Sequence, residues 1–325
     1  MTAATAPPLP MILDVVEVVA VHRLSPAFVR IELGSPALAD FGVDGPLHDQ
    51  RIKLLFPGDD GRLPSFEGVE ADTWWDSWLA LPEAERGHLR TYTVRALHGE
   101  GADTRLVVDF VLHLAHGETG PASTWASQAS VGDRLIVIGP RRGVPFGGIE
   151  FTPGDADRLL LVGDETAVPA ISAILDNLPV DAVGKAYLEV PTPDDILDVR
   201  APAGVRVVWL PRHEQPYGAR LCRAVLTLFG IDDGAEPHQG MAVDPDLWET
   251  PTYSSSGEPI DPADDPADHS GPGGTYARAT GGLYAWIAGE AGTVTRLRRH
   301  LVRDAGLDRS QVAFMGYWRI GVAMR

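Results

Sequence analysis

Four short stretches of the 325-residue chain combine residue types suited to a flat, phosphorylated ligand. In RTYTVR, residues 90–95, a strand of period two sets Arg90, Tyr92 and Val94 on one face and Thr91, Thr93 and Arg95 on the other, which puts a guanidinium beside an aromatic ring. Arg90 can pair with a diphosphate, Tyr92 can lie against a planar group and Thr93 can offer a hydroxyl to its edge, although an ordinary amphipathic strand has the same pattern. In GETGPASTWA, residues 117–126, Pro121 and Ala122 open a helix. Its free N–H groups, with the hydroxyls of Ser123 and Thr124, face whatever lies before Gly120; that geometry suits a phosphate as well as it suits a plain capped helix start.

The third stretch, LVGDETAVPAIS, residues 161–172, sits where an α/β protein would carry a nucleotide-binding turn, yet its one glycine, Gly163, is followed by Asp164 and Glu165. With Thr166 as N-cap, Ala167, Val168 and Pro169 fill the first helical turn, where proline is tolerated because an N–H there has no intrahelical partner. Thr166 stands where a glycine would let a diphosphate approach most closely, so the turn departs from the GxGxxG pattern. The fourth feature is a pair, AWIAGE at 285–290 and GYWRIG at 316–321. Gly289 and Glu290 end one strand, and Tyr317 and Trp318 end the last one beside Arg319, on the edge where open α/β sheets bind ligands. Aromatics near a chain end serve equally as core residues or as contacts for a planar ligand.

Two kinds of scaffold must position these stretches. From residue 11 to 150 the chain runs through ILDVVEVVAVHRL, FVRIELG, RIKLLFPG, RTYTVRAL, RLVVDFVLHL and RLIVIGP. Six β-rich runs with turn signals between them predict an antiparallel barrel. Within it, TWWDSWLALPEAE predicts a helical turn with Trp74 and Trp78 on one face. From 157 to 325 apolar runs alternate with helical patterns: LLLVG, TAVPAISAILDNL, KAYLEV, RVVWLP, ARLCRAVLTLF, GLYAWIAGE, TVTRLRRHLVRDAG and QVAFMGYWRIG. That alternation predicts a mostly parallel, Rossmann-like sheet covered on both faces. Residues 231–281, rich in Asp, Pro, Gly and Ser, read as a mobile insertion in this domain, with MAVDPDLWETPTY docking locally through Trp248 and Tyr253.

Composition excludes several function classes. The net charge of −18 argues against nucleic-acid or anionic-membrane binding, and residues 231–280 alone hold eleven Asp/Glu against one Arg. No apolar run approaches the ~20 residues of a membrane span, and MTAATAPPLP lacks a secretory pattern, so a cytoplasmic location is expected. The single cysteine, Cys222, cannot build an iron–sulfur cluster, and the ten histidines show no metal-ligand spacing; His113 and His116 fall in strand and loop. Any redox chemistry therefore needs another carrier. Only two of the 27 basic residues are lysines, which draws attention to Lys53 in the middle of RIKLLF.

Taken in order and spacing, RIKLLFPG, RTYTVR, VDFVLH, GPASTWA, GPRRG, LLVGDETAVPAI, AGEAG and VAFMGYWRIG resemble the siderophore-interacting protein family, flavin-dependent ferric-siderophore reductases of the ferredoxin-reductase-like superfamily. The resemblance covers nearly the whole chain and departs from it at the acidic 231–281 segment. It implies an N-terminal barrel holding FAD and a C-terminal domain receiving NADH or NADPH. By that analogy Arg90, Tyr92 and Thr93 contact the flavin and its phosphates, and Asp109, Val111 and His113 line the flavin or its adenosine side. Gly120, Pro121, Ala122 and Ser123 close on the diphosphate. Gly163, Asp164, Glu165, Thr166 and Ala167, with Glu290, border the nicotinamide path, and Tyr317 with Trp318 covers the isoalloxazine side. The family's basic substrate pocket maps to Lys53, Arg141 or Arg142, and Arg319.

The implied reaction takes a hydride from NAD(P)H and returns single electrons to ferric iron in an anionic siderophore, with no protein acid, base or nucleophile. Ferredoxin is an alternative donor, and a monomer is compatible with the scheme. Asp164 and Glu165 would weaken phosphate attraction and are expected to hydrogen-bond the nicotinamide amide or ribose. Glu189 could accept a ribose hydroxyl, whereas Arg212 could bind a 2′-phosphate. Two rival readings remain: a flavin reductase serving a protein acceptor or oxygenase, and a siderophore-binding protein without turnover.

Overall fold

The computed structural model describes residues 9–69, 73–113, 120–231, 248–249 and 282–321. The chain divides into two compact units after Ile149.

The first unit is built from β1 (Met11–Arg23), β2 (Phe28–Gly34), β3 (Arg51–Phe56), α1 (Trp74–Ala80), β4 (His88–Thr93), β5 (Ala96–His98), β6 (Arg105–Val111), α2 (Pro121–Gln128) and β7 (Arg134–Pro140). Every strand pair is antiparallel, in the order β4-β3-β7-β1-β2-β6-β5. The two outermost strands, β4 and β5, are consecutive in the chain, which explains how the sheet closes. Val94 donates its N–H to the Gln50 carbonyl and Arg95 donates to the Val107 carbonyl. One segment thus pairs with β3 through its first half and with β6 through its second, removing both open edges. The run RTYTVRAL, expected as one of six strands, is divided at this hand-over, so seven are counted.

Alternation along the strands sets the interior. Ile52, Leu54 and Phe56 of β3, Val108 and Phe110 of β6, and Leu135 and Val137 of β7 share one core, against which Tyr92 packs. Helix α2 adds Ala122, Trp125 and Ala126, three residues at helical spacing on one face. The Trp125 ring lies 5.1 Å from that of Phe56 and 6.1 Å from that of Phe110. Outside the barrel, Trp74 and Trp78 share a face of α1, as their spacing predicts, and pack with Phe66 on Leu55, Leu89, Ile136 and Ile138.

The second unit comprises β8 (Arg158–Gly163), α3 (Val168–Asn177), β9 (Gly184–Val190), β10 (Val205–Pro211), α4 (Ala219–Leu228), β11 (Trp248–Glu249), β12 (Leu283–Glu290), α5 (Ala291–Arg299) and β13 (Val312–Trp318). The order is β10-β9-β8-β12-β13-β11. All pairs are parallel except β11 on β13, where Trp248 lies opposite Met315. Leu160 and Val162 pack with α4 and α5, while Gly163 on the other face meets Ala167 and Ile171 of α3. A Cβ on Gly163 would stand 2.4 Å from the Ala167 side chain, so the single glycine of this turn serves helix approach. Because β9 and β12 flank β8 on opposite sides, the strand order reverses between the carboxyl ends of β8 and β12. Of the acidic stretch 231–281, only Ile231, Trp248 and Glu249 are among the described residues, and the expectations of mobility and of docking by Tyr253 lie outside them.

The barrel core should depend on its aromatic cluster. Phe110→Ala removes a ring that touches both Tyr92 and Trp125 and should cost about 3–5 kcal/mol, read as a lower midpoint for the first unit's unfolding in urea; a loss under about 1 kcal/mol would contradict this packing.

Candidate functional site

In the first unit the predicted residues gather on β3, β4, the end of β6 and the start of α2. Lys53 lies opposite Thr91, and Arg51 opposite Thr93, on the face turned away from the barrel core. Lys53 Nζ donates to Thr91 Oγ1 at 3.1 Å. Burial first, and then the neighbouring Arg51 charge, pushes the Lys53 pKa down, as expected for a cation without a carboxylate. The Arg90 guanidinium donates to the Leu89 carbonyl. Burial lowers its pKa too, with Tyr92 opposing. The Tyr92 ring sits 4.5 Å from Phe110, and burial raises its phenol pKa.

Gly120 is the N-cap of α2 and Pro121 its first residue, as the sequence implied. Thr124 closes the first turn onto the Gly120 carbonyl through both its N–H and its hydroxyl. Helix geometry leaves the Ala122 and Ser123 N–H groups without acceptors inside the helix. The His113 N–H donates to Ser123 Oγ at 3.0 Å, tying the end of β6 to this turn. A desolvated guanidinium, a ring held edge-on by its neighbours and an uncapped helix start suit the flavin and diphosphate of FAD. Val111 and His113, half-buried, border the same strand end.

Two residues assigned to ligands by analogy are spent elsewhere. The Asp109 carboxylate, 3% exposed, grips Arg30 with two bonds of 2.7 and 2.8 Å and faces Arg95 at 3.7 Å. Arg141 donates to the Leu9 carbonyl and pairs with Asp40 at 2.8 Å, so its charge is already neutralised. Arg142, by contrast, is exposed and reaches the Phe41 carbonyl at 3.4 Å.

The second unit answers why a nucleotide-like turn carries acids. Asp164 and Glu165 are both buried. Asp164 Oδ1 accepts from the Thr166 N–H at 2.9 Å and from the Thr166 hydroxyl at 2.5 Å. Its Oδ2 accepts from the Glu290 N–H at 2.7 Å and from Trp318 Nε1 at 2.8 Å. One carboxylate therefore staples the ends of β8, β12 and β13 across the switch point. Gly289, at φ 144, permits it: a Cβ there would stand 2.6 Å from Asp164 Oδ2. Desolvation, reinforced by Glu165, pushes the Asp164 pKa up to about 6 against these hydrogen bonds. Thr166 is thereby engaged outside the helix, and the N-cap of α3 is Ala167, one residue later than expected.

Glu165 forms two bonds of 2.9 Å with Arg212, which also reaches Glu189 at 3.4 Å. Glu189 accepts from the Gly218 and Leu221 N–H groups at the start of α4. Burial raises its pKa. For Arg212 burial works the other way, and the two glutamates more than offset it to hold the guanidinium charged. That guanidinium lies 3.9 Å over the Tyr217 ring, which meets Trp318 edge-on at 4.9 Å. Glu290 caps α5 through Thr293. Glu189 and Arg212, the alternatives for a ribose hydroxyl and a 2′-phosphate, are both buried and bonded to each other. Sequence reasoning missed this network. Its signal was a buried acid, Glu165, that needed a cation. Tyr317 packs edge-on against Trp286 at 6.2 Å, and Arg319 follows Trp318, half-buried, with no carboxylate partner among the described residues.

Two measurements probe this network. Glu165→Gln leaves Arg212 half-paired in the interior and should cost roughly 3 kcal/mol in urea unfolding, so an unchanged midpoint would refute the pairing. For Asp164 the folded pKa, about 6, exceeds the ordinary 3.8. The native state then holds a proton that the unfolded chain has lost, so this group's contribution to stability falls as pH rises from about 4 to about 6. Asp164→Asn should flatten that slope in a pH series of unfolding midpoints.

Comparison with known proteins agrees with both units. Residues 17–144 match the siderophore-interacting FAD-binding domain, and residues 156–321 match the siderophore-interacting protein domain. An uncharacterized protein of Mycobacterium tuberculosis is 42% identical over 60% of this chain, a match spanning 64% of that relative's length. The ferric vibriobactin reductase ViuB of Vibrio cholerae is 33% identical over 66% of this chain and 71% of its own. An NADPH-dependent ferric-chelate reductase of Escherichia coli is 34% identical over 63% and 74%. The crystal structure of a siderophore utilization protein from T. fusca superposes with a TM-score of 0.65 at 27% identity, covering 97% of this chain and 95% of that one. A ferredoxin reductase of carbazole 1,9a-dioxygenase shares the fold alone, at TM-score 0.55 and 14% identity. With an FAD-binding barrel followed by an α/β unit of ferredoxin-reductase type, the chain belongs to the siderophore-interacting protein family.

Proposed function

We propose that this chain is a flavin-dependent reductase that carries electrons from NAD(P)H to the iron of ferric siderophores, with the soluble reductase working in the cytoplasm. One observation supports it above others. In a chain with 45 acidic and 27 basic residues, Lys53, Arg90 and Arg319 are half-buried and have no carboxylate partner among the described residues. Cations left unneutralised beside so many acids are suited to anionic ligands.

Bound flavin supplies the conversion from a two-electron donor to a one-electron acceptor. Arg90 and the first turn of α2 would hold its diphosphate, while Thr93, Val111 and His113 would border it. The stapled ends of β8, β12 and β13 give the nicotinamide a rigid edge to rest on. Lys53 and Arg142 in the first unit, and Arg319 taken by itself in the second, would each suit an anionic chelate; Arg141, already paired with Asp40, would add little. The sum is NAD(P)H plus two ferric ions giving NAD(P)⁺, a proton and two ferrous ions, so no protein general base is needed. Ferrous iron binds hard oxygen donors more weakly than ferric iron and would leave the chelate. With Glu189 and Arg212 committed to each other, the choice between NADH and NADPH falls to other residues.

Anaerobic stopped-flow tests the proposal. Flavin absorbance should bleach with NADH or NADPH and return on addition of a ferric chelate, and Lys53→Ala or Arg319→Ala should slow the return roughly tenfold for anionic chelates. A protein reduced by NAD(P)H but not reoxidised by chelates would instead serve a protein acceptor. One that never takes up added FAD would be a binder, and reduction only by ferredoxin would change the donor.

A further inference from the structure

Trp318 stands at the carboxyl end of β13 under two constraints from within its own unit. Its indole N–H is held at 2.8 Å by Asp164 Oδ2, and the Tyr217 ring meets it edge-on at an interplanar angle of 80°. The same Asp164 oxygen takes the Glu290 N–H at 2.7 Å. The ring's plane is therefore coupled to the spacing of β12 and β13. Tyr217 is itself pressed by the Arg212 guanidinium, which Glu165 and Glu189 hold. None of these groups needs a ligand to be in place.

We propose that Asp164 is a positioning residue for Trp318. By accepting the indole N–H it fixes the ring at the edge where the α/β unit receives its nucleotide, so the rate of hydride delivery depends on the charge of Asp164. Among the described residues, the acids coupled to this carboxylate are Glu165 in its own turn and Glu189 at the end of β9; Arg212 beyond β10 bonds both of them, and Glu290 at the end of β12 gives Asp164 its backbone N–H. Of the four, Glu165 and Glu189 share Arg212, and Glu290 is occupied by Thr293. Among the described residues Asp164 has no cation paired with it, and burial raises its pKa. Protonation turns one oxygen into a hydroxyl donor and removes the charge, so four donors no longer share an anionic acceptor and the hold on the indole loosens.

The positioning role rests on the reductase reading only for its kinetic consequence, so two readouts separate them. In tryptophan-¹⁵N-labelled FAD-loaded protein, the Trp318 indole resonance, assigned with Trp318→Phe, should shift through a single transition near the Asp164 value of about 6. It should stay flat in Asp164→Asn. In stopped-flow, Asp164→Asn and Trp318→Phe should each lower the limiting rate of flavin reduction roughly tenfold with the nicotinamide KM within about twofold, and the double variant should be no slower than the worse single one. A wild-type indole resonance that does not move between about pH 4.5 and about pH 8 would overturn the proposal. So would losses that multiply in the double variant. If neither nicotinamide reduces the wild-type flavin, the reductase reading fails, and the indole titration still decides whether Asp164 holds Trp318.

Discussion

A carboxylate buried where three parallel strands end must find its hydrogen-bond donors close at hand, and Asp164, just past β8, finds them in its own turn and at the ends of β12 and β13. The strand order reverses at this point, leaving a crevice whose walls belong to different βα units. The cost is desolvation, visible in the raised pKa of Asp164. It is tolerated because donors from the turn, from β12 and from an indole all converge on two oxygens.

The neighbouring Glu165 follows the same logic with charge added. Its partner Arg212 is shared with Glu189, and Glu189 in turn satisfies the first N–H groups of α4. Residues that resemble nucleotide-reading groups by position thus serve the sheet's own edge. The acids of this turn are thus bonded within their own unit, and the FAD-binding domain is the barrel.

The barrel sorts its charges by the same criterion. Arg30 and Arg95 share the Asp109 carboxylate and Arg141 pairs with Asp40, whereas among the described residues Lys53 and Arg90 bond neutral groups. The paired cations brace strands; the remaining ones stand beside the strand and helix start that suit a diphosphate. Closure through β4 and β5 matters here, because it places Arg90 to Arg95 in one segment contacting both β3 and β6.

Much of this was legible in local pattern. Period-two alternation marked the barrel strands, Pro121 after Gly120 marked the start of α2, and apolar runs alternating with helical ones marked a parallel sheet. Each follows from a repeat that one element carries within itself. What the sequence alone determined was therefore the two kinds of unit, the family resemblance and the stretches whose residue types suit a flat, phosphorylated ligand. Tertiary structure decided what the charged residues in those stretches do. Glu165 and Arg212 are 47 residues apart, Arg30 and Asp109 are 79, and Asp164 and Trp318 are 154. Such pairs are brought together by strand order and register, which no local period encodes, and desolvation then leaves a buried charge no choice but to bond with whatever that order supplies.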